Sequence, residues 1–168
     1  KGKVLGLIGC GRIGGWMSRY GQAFGMAVLA HDPHQQSLPP GVERRSLESL
    51  VEESDFVSIH VHLSDETRGM VSRALLERFK RGAVFVNTSR GALADETALR
   101  DALVAGRIAA AGVDVLEGEP DVSTHPLIEY ARTHDNLIVT PHCGGFSPDA
   151  VRIVCRRAAE KIERVLRG

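Results

Sequence analysis

Short unbroken apolar runs alternate along this chain with stretches whose apolar residues recur every three or four positions. The runs are Val4–Ile8, Ala27–His31, Phe56–His60, Ala83–Asn87, Ile108–Asp114 and Asn136–Thr140. Apolar runs of this length, bounded by turn residues, predict strands buried on both faces, as in a parallel sheet. Between the first two, Ile13, Met17, Tyr20 and Phe24 fall at helical spacing, and Gly25 stops the helix. Ser46, Ser72 and Asp95 are placed to cap helices that carry Leu47/Leu50/Val51, Leu75/Leu76/Phe79 and Leu99/Ala102/Leu103. A brief helix is predicted from Pro126 to Tyr130. The last helix opens at Ser147-Pro148-Asp149 and carries Val151, Val154, Ala158, Ile162 and Val165 on one face. The segment after Asp32, with Pro39-Pro40-Gly41, reads as a polar loop. Strand and helix signals alternating in this way predict an α/β fold, a doubly wound parallel sheet in three α/β/α layers. Its six expected strands take the order 3-2-1-4-5-6.

The turn between the first strand and the first helix spells G-x-G-x-x-G at Gly9, Gly11 and Gly14. In a Rossmann fold the first glycine allows a tight turn, the second lets a pyrophosphate approach the backbone, and the third lets helix and strand pack closely. The helix start then offers unpaired N–H groups and a positive dipole end to phosphates. Asp32 ends the second strand 18 residues beyond Gly14, a position suited to the ribose hydroxyls of NAD.

Composition narrows the partners. The 168 residues carry 21 Lys plus Arg against 21 Asp plus Glu, a balance that argues against a nucleic-acid or membrane-surface binder. No apolar run approaches the roughly 20 residues that span a bilayer, and no secretory signal pattern stands at the start. The three widely spaced cysteines, Cys10, Cys143 and Cys155, suit reduced thiols in the cytoplasm. Cys10 and Cys143 read as small core-like residues. Lys1 rather than Met leads almost at once into a strand, so the expectation is a single domain, residues 1–168, taken from a longer protein. His60 and His62 share a strand face, but no third ligand accompanies them, and no metal site is expected. His31, His34, His125 and His134 read as surface or strand-end positions, and the arginines of the last helix as a solvated face.

In such a sheet, ligands lie beyond the carboxyl ends of the strands, here at the expected switch between the first strand and Ala83–Asn87. The adenosine half would rest on the Ala27 and Phe56 strands, the nicotinamide half on the later ones. Arg90 follows the Ala83 strand, Asp114 and Glu119 follow the Ile108 strand, and His142 follows the Asn136 strand. An arginine, an acid and a histidine at the reactive end of NAD suit oxidation of a 2-hydroxy acid or reduction of the 2-keto acid. The imidazole exchanges the hydroxyl proton, the carboxylate orients it, and the guanidinium binds the substrate carboxylate. Read without further context, Arg90 also fits a surface loop and Glu119 a loop acid.

With Gly9-x-Gly11-Arg12-Ile13-Gly14, Asn87-Thr88-Ser89-Arg90-Gly91, Gly112-Val113-Asp114-Val115, Glu119-Pro120 and Thr140-Pro141-His142, the chain resembles, over essentially its whole length, the cofactor domain of the D-2-hydroxyacid dehydrogenase family. The resemblance implies that Arg90 binds the substrate carboxylate, and that His142 is the acid/base with Glu119 as its partner. It implies that Arg12 and Ile13 touch the pyrophosphate, that Val61, Thr88 and Ser89 line the cofactor groove, that Asp114 holds the nicotinamide carboxamide, and that Gly144 lies near the nicotinamide. It further implies a separate substrate domain outside this chain and a homodimer. One departure is His60-Val61-His62-Leu63, where the family pattern has proline at the third place. An NAD(H)-sensing, corepressor-like module on the same fold, and a dehydrogenase for another anion such as phosphite, are the alternative functions.

Overall fold

The computed structural model describes residues 1–167. Seven parallel strands form one sheet in the order β3-β2-β1-β4-β5-β6-β7. They are β1 (Val4–Ile8), β2 (Ala27–His31), β3 (Val42–Arg44), β4 (Phe56–Ile59), β5 (Ala83–Asn87), β6 (Ile108–Val113) and β7 (Leu137–Val139). The helices are α1 (Arg12–Ala23), α2 (Leu47–Glu53), α3 (Arg73–Arg78), α4 (Glu96–Val104), α5 (Pro126–Ala131) and α6 (Pro148–Arg167). Leu5, Leu7, Val28 and Ala30 pack on one face of the sheet, beneath α1. Ile8, Leu29, Val57, Ile59 and Phe85 point the other way, into a larger cluster shared with α2, α3 and α4, as the two-residue period of a strand requires. Three of the expected caps form: Ser46 accepts from Ser49 N–H, Ser72 from Leu75 N–H and Asp95 from Ala98 N–H.

The strand count and one adjacency differ from expectation. Val42–Arg44 pairs in register with Val28–Ala30 and forms the edge of the sheet. With one apolar residue in three and two exposed side chains, it leaves no hydrophobic signal in the sequence. This short strand takes the place beside β2 that the Phe56 strand was expected to fill. Phe56–Ile59 instead pairs with β1 on one side and β5 on the other. The switch point of the sheet therefore lies between β1 and β4, and the Phe56 strand stands on the opposite side of it from β2 and β3.

Helix α1 forms where expected but does not bury most of the large apolar residues that recur along it. Ile13, Tyr20 and Phe24 are exposed, as is Trp16, and the buried positions are Gly14, Ser18 and Gly21. The reason is close approach: a Cβ on Gly21 would stand 2.7 Å from Leu5 Cδ2, and one on Gly14 would stand 2.2 Å from the Gly9 carbonyl oxygen. Only a face of small residues fits so near the strands, so the large side chains take the outer face, where Trp16 stacks on Tyr20 and Arg19 lies 4.7 Å over the indole. Met17 alone of the expected stripe packs on the core. Helix α6 forms where expected, with no buried residue. Gly21→Val is expected to cost about 1–3 kcal/mol in urea unfolding through overpacking, whereas Tyr20→Ser should stay within about 0.5 kcal/mol; the reverse ranking would contradict the close packing of Gly21 on Leu5.

Candidate active site

Because all strands run parallel, every residue that follows a strand collects at one edge of the sheet. Gly9 leaves β1 at φ 91°, a left-handed conformation open to glycine, and its N–H donates to the His31 carbonyl at 2.8 Å. A side chain there would strike Val61 Cγ1 at 2.7 Å and the His60 carbonyl oxygen at 2.8 Å. Gly11 meets nothing within 4 Å, so its side of the turn is open. No side chain of the described residues caps α1, and no acid stands in its first turn. The turn thus fits a pyrophosphate: an open backbone approach, unpaired N–H groups and a positive helix end.

Asp32 fastens this turn. One oxygen accepts from Cys10 N–H at 2.8 Å, the other from His34 and Gln35 N–H at 3.0 and 3.2 Å. A carboxylate has about four acceptor sites, so capacity for a ribose hydroxyl remains. Arg44 donates to the Asp32 and Gln35 carbonyls at 2.6 and 2.7 Å, a brace that no local pattern marks.

The β4 and β5 ends are tied together. Ser89 Oγ donates to the Ile59 carbonyl at 2.8 Å. Buried Asn87 accepts from Ser89 N–H at 3.0 Å and donates to the Arg90 carbonyl at 2.9 Å, which cinches the loop. Thr88 and Arg90 are exposed on it, and an Arg90 Nη donates back to the Ser89 carbonyl at 2.6 Å. Gly91 then packs directly on the loop after β6: a Cβ would stand 2.1 Å from Glu117 N. Asn87 and Gly91 are structural members of the site that an asparagine at a strand end and a glycine beside a candidate arginine could have flagged. His60 is half-buried near Gly14, its Nε2 3.0 Å from Ser58 Oγ, and burial pushes it down to about 4. Val61 abuts Gly9, so the His60-Val61 segment closes one side of the glycine turn.

Asp114, 5% exposed, builds the loop after β7. It accepts from Thr140 Oγ1 at 2.5 Å, Cys143 N–H at 3.0 Å and Gly144 N–H at 2.7 Å. Burial works to raise this carboxyl; the bonds from Thr140, Gly144 and Cys143 outweigh it and hold the group below its ordinary value. A side chain on Gly144 would meet Asp114 Oδ2 at 2.9 Å. Cys143 is exposed on this loop rather than core-like, with its N–H and its Sγ both directed at Asp114 Oδ1, at 3.0 and 3.7 Å.

The same loop presents His142, at φ 52°, with its Nδ1 2.6 Å from Glu119 Oε2. The other Glu119 oxygen accepts from Leu116 N–H at 2.7 Å. Burial tends to raise the Glu119 carboxyl, and the bonds from His142 and Leu116 bring it below its usual range. The carboxylate sets the imidazole with its proton on Nδ1 and Nε2 available outward. Arg90 and this pair meet through one segment, since Gly91 packs on Leu116–Glu117 and Glu119 follows directly. An apolar cleft of about 740 Å³ at the outer strand β7 borders Glu119 and His142, lined by Leu116, Val122, Ile128 and Ile138. Its lining includes no residue of the glycine turn, which stands at the β1–β4 switch.

Such a fold and edge define a dinucleotide-binding domain of the oxidoreductase type. Residues 1–144 match the family model described as "D-isomer specific 2-hydroxyacid dehydrogenase, NAD binding domain". The chain is 41% identical over 165 residues to the hydroxypyruvate reductase of Thermotoga maritima, covering 98% of this chain and 53% of that protein. It is likewise 41% identical over 170 residues to the glyoxylate reductase of Korarchaeum cryptofilum, covering 99% and 50%. Among solved structures, the NAD-complexed D-isomer specific 2-hydroxyacid dehydrogenase of Lactobacillus delbrueckii superposes with a TM-score of 0.91 at 28% identity, over 99% of this chain and 54% of that one. The D-lactate dehydrogenase of Aquifex aeolicus complexed with NAD and lactic acid gives 0.86 at 30%, over 99% and 54%. The chain belongs to the D-isomer specific 2-hydroxyacid dehydrogenase family, as its NAD-binding domain, and spans about half the length of the curated relatives it matches. Among the described residues no helix is long and apolar enough to cross a membrane.

His60 generates a pH prediction. Held neutral in the fold to about 4, it takes up its proton in the unfolded chain near 6.5, so the unfolded state binds more protons in that window and stability falls as pH drops through it. His60→Gln should show a shallower loss of urea-unfolding stability between pH 6.5 and 4 than the parent chain; parallel profiles would contradict the burial.

Proposed function

We propose that this chain is the cofactor half of an NAD-dependent dehydrogenase for small D-2-hydroxy acids and their 2-keto acids. The carrying observation is the Glu119–His142 pair, 2.6 Å apart, on the edge that also holds the glycine turn and Arg90. In this reading the first-turn backbone with Arg12 and Ile13 meets the pyrophosphate, and Asp32 the adenosine ribose. Val61, Thr88 and Ser89 line the groove, and Gly144 lies near the nicotinamide. Asp114 holds the His142 loop, and its remaining acceptor site meets the carboxamide.

Bound NAD supplies the acceptor or donor of the hydride exchanged with C2. The chain's own groups do the rest. Arg90 binds the substrate carboxylate through a guanidinium fork. In oxidation, Nε2 of His142 takes the C2 hydroxyl proton while Glu119 stabilises the imidazolium; in reduction the proton returns to the oxygen. The remaining substrate contacts belong to a second domain beyond this chain, and a pair of such chains would make the homodimer.

Calorimetry should show NADH binding to this chain, abolished by Gly14→Val, whose side chain would occupy the place of the Gly9 carbonyl. Folded chain that does not bind NADH would overturn the cofactor assignment of these residues. In the protein that contains this domain, His142→Ala should lower kcat with a panel of 2-hydroxy and 2-keto acids about 10²–10⁴-fold, and Arg90→Ala should weaken binding of the acid. NADH binding without turnover of any acid in the panel would favour the sensing module instead.

A further inference from the structure

His125 departs from its expected place on the surface. Its side chain is 15% exposed and its Nε2 lies 2.9 Å from Glu96 Oε2, itself on a side chain only 11% exposed. Leu127 N–H donates to His125 Nδ1 at 3.2 Å, which leaves the ring proton on Nε2, facing the carboxylate. Glu96 opens α4 and His125 caps α5, so the pair joins two helices. The Glu96 carboxylate also accepts from Glu117 N–H, at 3.1 and 3.2 Å. That N–H belongs to the segment on which Gly91 packs, and the preceding one, Leu116 N–H, holds Glu119. Burial pushes the Glu96 carboxyl up, against the bonds from Glu117 and His125.

We propose that Glu96 and His125 form a latch that positions the Leu116–Glu119 segment, and through it both Arg90 and the Glu119–His142 pair. The inference rests on the proposed acid/base role of that pair. Neither latch residue touches the reacting atoms; both are positioning residues. A carboxylate is suited to the place because it accepts on both oxygens. A glutamine in either orientation would set its NH₂ against the Glu117 N–H or the His125 Nε2–H.

The test is the ¹⁵N–¹H spectrum of the His142 ring in this chain, assigned by its loss in His142→Asn. Glu96→Gln and His125→Asn are compared with Glu119→Gln, with melting temperature and NADH affinity measured alongside. Asparagine keeps the α5 cap but does not reach Glu96. Glu119→Gln should remove the carboxylate-bound Nδ1–H signature. Glu96→Gln and His125→Asn should weaken it toward a mixture of tautomers while the chain stays folded and binds NADH. A signature unchanged in both latch variants but lost in Glu119→Gln overturns the latch and leaves the acid/base pair standing. A signature that survives Glu119→Gln overturns the pair itself, and the latch with it.

Discussion

A buried carboxylate at the end of β6 holds the loop after β7 in place. Asp114 reaches across the sheet to Thr140 at the end of β7 and then to the N–H groups of Cys143 and Gly144. Those bonds bracket His142, so the imidazole is presented by a loop pinned immediately before and after it. The backbone at His142 is left-handed, at φ 52°, a conformation that costs a non-glycine residue of order 1 kcal/mol or more unless its surroundings enforce it. Here the surroundings are a charged acceptor and three donors, and charge-assisted bonds in a buried setting are the stronger kind. Exposure of the imidazole is then compatible with a defined orientation: the ring is open to a ligand while its backbone is not free to move.

The second requirement is that separate loops meet at one place. Arg90 leaves β5, Glu119 follows β6 and His142 follows β7, and no periodicity relates their positions in the chain. The β6 loop is the common member. It abuts Gly91, whose missing side chain lets the two backbones come within contact distance, and it carries Glu119 to His142. The cofactor side is built on the same plan. Asp32 bonds Cys10 N–H, and Ser89 bonds the Ile59 carbonyl, so each strand end is tied to a neighbour by a side chain from the next loop.

What could be read from the sequence follows from this construction. The five interior strands and the apolar edge strand β7 show as continuous apolar runs, so six of the seven were visible that way. The glycine turn was legible because Gly9 and Gly14 answer steric demands of the fold, and Asp32 because it follows a strand directly, where it fastens that turn. Val42–Arg44 was not legible, since an exposed edge strand needs few apolar residues. The inward face of α1 was not legible, because close packing selects Gly14, Ser18 and Gly21 for their small size rather than the large apolar residues that recur along the helix. Pairings such as Asp114 with Thr140, or His125 with Glu96, join residues 26 and 29 positions apart, and local patterning carries no record of a partner chosen by tertiary packing.

The outer face of α1 shows how the two kinds of signal separate. Ile13, Trp16, Tyr20 and Phe24 form an apolar stripe as regular as any in the chain, yet all four are more than half exposed. Ile13 stands one residue into the helix, beside the open Gly11 turn. Trp16, Tyr20 and Phe24 lie farther along, away from that turn. The stripe is therefore not one surface: its first residue borders the glycine turn, and the aromatic remainder is a face of the domain that its own core does not use. Helical periodicity reports that side chains share a face; steric room against the sheet decides which face turns inward.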